Sequence, residues 1–215
     1  MKKLVSLLSA CMLATSAFAL DLGVGVNGGM ATSSNTQKIK YFDESTTVTK
    51  YKDLGFEAFL TTDYVQFGVG YLTRGNNGST ITVGGTPKDY PKTDEKYSSI
   101  PLEILFRYPL PLGKLKVIPM AGLEYDICVG GTKANGDAIA SSDLADYNRL
   151  TAKLGLGLDI PLSRKLSLRP QALCGFGLYN QKESDTATSQ KSGIYETWSY
   201  FDFSLTGGLV LAYKL

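Results

Sequence analysis

The sequence predicts an all-β protein, an eight-stranded antiparallel up-and-down transmembrane β-barrel with four long extracellular loops and three short periplasmic turns. Three observations predict it. Runs of ten or more residues alternate apolar with polar or small side chains; the connections between runs alternate long with short; and all but one of the charges inside the runs lie on the parity opposite the apolar side chains. The clearest run is Leu150 to Ile160, in which Leu150, Ala152, Leu154, Leu156, Leu158 and Ile160 oppose Thr151, Lys153, Gly155, Gly157 and Asp159. Successive side chains of a strand point to opposite faces, so this ribbon is apolar on one side only. A strand tilted across a bilayer needs roughly 9–11 residues, which this run supplies.

In chain order the first run is Asp21 to Met30, with Leu22, Val24 and Val26 on the apolar face. The second is Tyr51 to Thr61, which sets Leu54, Phe56, Ala58 and Leu60 against Gly55, Glu57 and Phe59. Only Thr62 and Asp63 separate it from the third, Tyr64 to Thr73, a hairpin connection. The fourth, Tyr97 to Tyr108, carries Ile100, Leu102, Ile104 and Phe106 against Glu103 and Arg107. A turn at Pro109 to Gly113 leads to the fifth, Lys114 to Asp126, with Lys116, Gly122, Glu124 and Asp126 opposite its apolar side. Pro119 sits on the apolar parity there and lacks the N–H that a ladder uses. After the sixth run, Pro161 to Lys165 turns into the seventh, Leu166 to Tyr179; the eighth is Tyr200 to Leu215. Residues 31–50, 74–96, 127–147 and 180–199 remain as polar loops, and Ser79 to Val83 within the second extends the hairpin outside the membrane.

Fifteen charges fall in these runs, and four of the five runs that hold two or more keep them on one parity; the exception is Lys52, at the loop-side end of the second run. A basic side chain facing lipid at the midplane costs about 2–4 kcal/mol, so the charged parity faces the lumen. An eight-stranded barrel is just wide enough to be filled by side chains. Buried charges need partners, so Glu57, Glu103, Arg107, Lys116, Glu124, Lys153, Asp159, Arg169 and Asp202 are expected to form an ion-pair network that plugs the barrel. The inward glycines leave room for these long side chains. Aromatic girdles are expected from Tyr51, Tyr71, Tyr97, Tyr125, Tyr179, Trp198, Tyr200 and Phe201 on the loop side. Tyr64, Phe106, Tyr108 and Tyr213 mark the turn side.

The N-terminus reads as a secretory signal over residues 1–19, with Lys2 and Lys3, an apolar core from Leu4 to Ala14, and Ala17-Phe18-Ala19 as cleavage site. The competing reading is a lipoprotein signal at Leu8-Ser9-Ala10-Cys11, against which the apolar run continues past the cysteine. The barrel domain then spans residues 20–215. Cys128 and Cys174 lie two strands apart on opposite parities, beyond the Cα separation of about 7 Å that a disulfide tolerates, and two free thiols are expected. A formal charge of +2 and the absence of a basic cluster argue against nucleic acid.

Thr206-Gly207-Gly208-Leu209-Val210-Leu211-Ala212-Tyr213 resembles the C-terminal assembly signal of bacterial outer-membrane barrels, carried by Thr206, Gly208, Leu211 and Tyr213. With the eight-run layout of residues 20–215, the chain resembles the small barrels of the OmpA-barrel, OmpX and OmpW kind. It departs by closing on Leu215, where many relatives have a terminal aromatic. The resemblance implies residence in the outer membrane, with its lipid and its insertion machinery as partners, and a monomer is expected.

Four functions follow for weighing. Enzymes among such barrels resemble one another in using a histidine as general base or proton carrier, and this chain has no histidine. Ser167 and Lys165 flank a turn without a supporting motif, no metal-ligand spacing occurs, and neither an enzyme nor a cofactor is expected. Envelope structure or surface interaction through the four loops, including adhesion to a host or extracellular ligand, is the favoured reading. The OmpW resemblance implies an alternative, a conduit for small hydrophobic molecules. Its apolar path would run past Phe59, Leu105, Ile118, Met120 and Leu173, with Pro119 locally opening the ladder. The last is a soluble lipocalin-like ligand binder, with the same alternation turned inside out.

Overall fold

The computed structural model describes residues 20–39, 43–180 and 195–215; the expected leader, residues 1–19, and most of the fourth loop lie outside them. Eight long strands close a ring: β1 (Asp21–Ile39), β2 (Ser45–Thr61), β3 (Val65–Val83), β5 (Lys96–Arg107), β7 (Leu115–Thr132), β8 (Arg149–Pro161), β9 (Leu166–Asn180) and β10 (Tyr195–Lys214). Each pairs antiparallel with its neighbours in sequence, and β1 pairs with β10 from Asp21↔Lys214 to Ile39↔Tyr195 to close the seam. Two short strands lie off the ring: β4 (Thr86–Tyr90) folds back on β3, and β6 (Leu110–Leu112) on the start of β7. The predicted turn at Pro109 to Gly113 is thus a miniature hairpin, and it reverses at Gly113, whose φ of +63° suits glycine. At the short-turn end β1 and β10 are joined just beyond their ladder, where Leu215 N–H donates to the Leu20 carbonyl at 3.0 Å.

The expected faces are observed. On β8, Lys153 is 5% exposed whereas Leu154 and Leu156 are 54% and 57% exposed. Among the described residues no helix is long and apolar enough to span a membrane.

Three expected loops are corrected. Residues 31–50 are largely strand, since β1 continues to Ile39 and β2 begins at Ser45. In residues 74–96, β3 runs on to Val83 and pairs with β4, as the Ser79-to-Val83 extension anticipates. In residues 127–147, β7 continues to Thr132, and Ser141–Tyr147 is a 3-10 helix. The extensions of β1 and β2 are rich in Thr, which favours strands, and polar residues on both parities there leave no apolar stripe. Pairing beyond the membrane leaves no hydrophobic period to read.

Glycine matters most where strands approach closely. A Cβ on Gly122 would stand 2.0 Å from the Ile104 carbonyl oxygen and 2.8 Å from Leu105 Cα. Gly122→Val is expected to cost about 3 kcal/mol or more by overpacking. Gly130→Val in the same strand, where nothing lies within 4 Å, serves as control. Loss of the heat-modifiable gel band in the first variant alone checks this, and equal behaviour of the two would refute it.

Candidate functional site

The lumen is built in tiers. At its centre Lys153 on β8 stands between Gly122 on β7 and Gly175 on β9, and Glu57 on β2 between Gly25 and Gly70. These two long charged side chains therefore have glycines on both flanks. Glu103 and Glu124 face each other across β5 and β7, an arrangement that repels unless a cation intervenes. Lys153 supplies it, pairing with Glu124 and reaching Glu103 at 3.4 Å, while Gln66 Nε2 donates to Glu103 at 3.3 Å.

Toward the extracellular mouth a second tier holds Asp53, Arg74, Asp126, Arg149 and Asp202. Arg74 donates to both Asp53 oxygens at 2.7 Å, a bidentate pair. Arg149 lies 3.8 Å from Asp202 and within 6 Å of the rings of Tyr51 and Tyr97, at 5.8 and 5.9 Å. Above this tier Tyr51, Tyr97, Ala31 and Ile139 form a buried apolar cluster against Leu144 and Tyr147, with the Tyr97 and Tyr147 rings 5.0 Å apart. The third connection thus folds over the mouth as a cap.

Below the centre Leu105, Ile118, Met120 and Leu173 pack on one another as a buried apolar layer. Phe59 is also buried and inward, but stands apart on β2 against Gly68. Beside the layer remains a cavity of only about 10 Å³, hardly room for one water. Pro119 keeps its register opposite Leu156, and the β7–β8 ladder runs past it without a shift, so the expected opening at Pro119 is corrected. The proline falls where β5 has ended, since the last β5–β7 pair is Arg107↔Met120. At the periplasmic mouth Arg169 pairs with Asp21 and with Asp159, the latter at 3.1 Å.

The single network expected from sequence is therefore separate tiers. Glu57, Glu103, Glu124 and Lys153 gather at the centre, Asp202 belongs to the upper tier, and Asp159 and Arg169 lie below the apolar layer. Lys116 is corrected: it is exposed at the periplasmic rim and forms no ion pair among the described residues. Asp53 lies inside the second expected run on the inward parity of Glu57 and is legible there, whereas Arg74 falls in an expected loop and Arg149 in the gap before an expected strand. The inward parity, extended by one residue, finds Arg74 and Arg149.

The aromatic girdle is also corrected in part. Tyr71, Tyr125, Tyr179 and Phe201 face outward on the loop side, as do Tyr64, Phe106, Tyr108 and Tyr213 on the turn side. Tyr51 and Tyr97 are buried inward, and Tyr200 bonds Asp202 in the lumen. Their parity is that of the charges. The Trp198 side chain lies outside the described residues. Cys128 and Cys174 are free, with β8 between their strands. In β10, Thr206 and Gly208 share the inward parity and Leu211 and Tyr213 face out. Among the described residues no group of His, Cys, Asp and Glu converges on a metal-sized site.

No protein-family model matches the sequence, and no curated protein matches it. Among solved structures, the outer membrane protease OmpT from Escherichia coli matches with a TM-score of 0.51 at 7% identity, over 92% of this chain and 98% of that one. Neisserial surface protein A (NspA) aligns at 13% identity over 87% of this chain and 95% of its own, with a TM-score of 0.40. The outer membrane protein OprG from Pseudomonas aeruginosa aligns at 14% identity over 90% and 95%, with a TM-score of 0.38. The likeness to OmpT is one of fold. Leu154, Leu156, Val24, Val26 and Phe56 are more than half exposed on the barrel wall, a surface that water would not tolerate and lipid covers. An antiparallel barrel closed on itself, apolar outside and charged within, has the fold of an outer-membrane β-barrel and a wall suited to lipid.

Proposed function

We propose that the protein is a non-conducting barrel that carries a rigid β-sheet extension for surface interaction, adhesion to a host or extracellular ligand being the expected form. The observation that carries this reading is the mismatch between strand length and bilayer thickness. Strands β1, β2, β3 and β10 have 19, 17, 19 and 20 residues, whereas a crossing needs roughly 9–11. The excess projects the sheet on the order of 25 Å along the strands at about 3.3 Å per residue. It ends in the β3–β4 hairpin, where Val83 and Tyr90 are exposed. Below it, packed side chains fill the lumen from the upper tier down through the apolar layer of Leu105, Ile118, Met120 and Leu173.

Cells displaying the barrel are expected to bind a host-cell or matrix-coated surface. A variant with residues 79–90 replaced by a two-residue Asn-Gly turn should lose most of that binding while its heat-modifiable band persists. Equal binding by the variant would defeat the proposal, as would binding no better than that of cells lacking the barrel. Planar bilayers should show no steady conductance. Uptake of an apolar probe into liposomes that Met120→Trp abolishes would instead favour the conduit. As to partners, we further propose a monomer whose Thr206-to-Tyr213 segment is read by the insertion machinery; Leu211 and Tyr213 face outward, where such a reader could reach them.

A further inference from the structure

The periplasmic mouth holds a cavity of about 200 Å³ between the ends of β5, β7, β8 and β9, the start of β1 and the end of β10. Seven basic side chains line it against three acidic ones, a surplus of four positive charges. Two of the acids, Asp21 and Asp159, are taken up by Arg169. Arg107 lies at the floor of this cavity, directly under the apolar layer. It is 6% exposed, its Nε has no hydrogen-bond partner, and its guanidinium forms no ion pair among the described residues. A buried guanidinium with unused donors is costly unless an anion completes it.

We propose that this mouth is a binding site for a phosphate group, with Arg107 as the buried contact and Lys116, Lys165 and Lys214 as the rim. Three features select phosphate. The planar guanidinium fork matches the oxygens of a phosphate in bidentate fashion. A fourfold positive surplus in so small a space is better balanced by a multiply charged anion than by a single carboxylate. The rim also lies at the level of the turn-side aromatics: Lys165 Nζ stands 5.5 Å from the centre of the Tyr213 ring, and the Tyr64 and Tyr108 rings are 6.5 Å apart. Interfacial aromatics mark the headgroup level, so the phosphate can come from a phospholipid of the periplasmic leaflet or from a dissolved phosphate ester. The apolar layer above Arg107 gives the site a floor and keeps the ligand from going further.

Calorimetric titration of the full mature barrel in non-ionic micelles with inorganic phosphate, against chloride at matched ionic strength, tests the site. Retention of phosphatidylglycerol over phosphatidylcholine from mixed nanodiscs tests the lipid source. Saturable phosphate binding, weakened at least tenfold in Arg107→Gln, supports a site open to dissolved phosphates. Selective phosphatidylglycerol retention that Arg107→Gln abolishes supports the headgroup. Should Arg107→Gln fail to fold, Lys116→Gln/Lys165→Gln carries the same comparison, since both residues are exposed at the rim. Phosphate binding no tighter than chloride together with no lipid preference overturns the proposal, as does binding unchanged in the variants.

Discussion

Lys153→Met is expected to destabilise the folded barrel by about 3–5 kcal/mol, the range for leaving a buried charge without its partner. The side chain is the one cation of the central tier; it holds Glu124 and Glu103, which face each other across adjacent strands, with Glu57 close by on β2. Methionine keeps the volume and removes the charge, so the loss measured is that of stranded carboxylates rather than of packing. Urea unfolding in lipid vesicles, followed by the heat-modifiable gel shift, reads it. Adding Glu103→Gln and Glu124→Gln to Lys153→Met should recover most of the loss, because neutral amides no longer need the cation. Lys116→Met, an exposed position, should stay within about 0.5 kcal/mol of wild type. A loss below about 1 kcal/mol in Lys153→Met would mean that the central tier is hydrated and its charges screened, and the plugged-lumen reading would fall with it.

Lys153 also shows what could be read without coordinates. Its inward direction followed from parity alone, since Leu154 and Leu156 needed the other face. That Glu103 and Glu124 would be its partners did not follow, because parity gives a direction and not a height. Height depends on stagger between strands, and stagger is set by the turns and by close approaches such as Gly122 against Ile104. The same gap explains the network: nine charged residues were expected in one cluster, and they separate at the layer of Leu105, Ile118, Met120 and Leu173. Those four were legible as inward apolar residues but not as a seal. Tyr51 and Tyr97 show the opposite failure. Tyrosine's preference for the lipid interface points them outward, although each shares the parity of the inward charges of its own strand.

One residue beyond Lys153, the environment is reversed, and so is the expected response to a positive charge. Leu154 is 54% exposed on the barrel wall, midway along β8, with Ala121 and Cys174 as its cross-strand neighbours. Leu154→Arg is expected to cost about 2–4 kcal/mol in phosphatidylcholine vesicles, the range for an arginine facing the midplane of the bilayer. Leu178→Arg, near the loop end of β9 and similarly exposed, should cost only about 0–1 kcal/mol, because the guanidinium there reaches the headgroups. The difference between the two variants isolates membrane depth, since both replace an exposed leucine by the same residue. Equal losses would place the whole outer wall in one environment, which is what a soluble barrel predicts. A graded loss, joined to the Lys153→Met result, fixes the polarity of the wall from both sides: positive charge is required at residue 153 and excluded at residue 154, and only a lipid-facing exterior around a charged lumen asks for both.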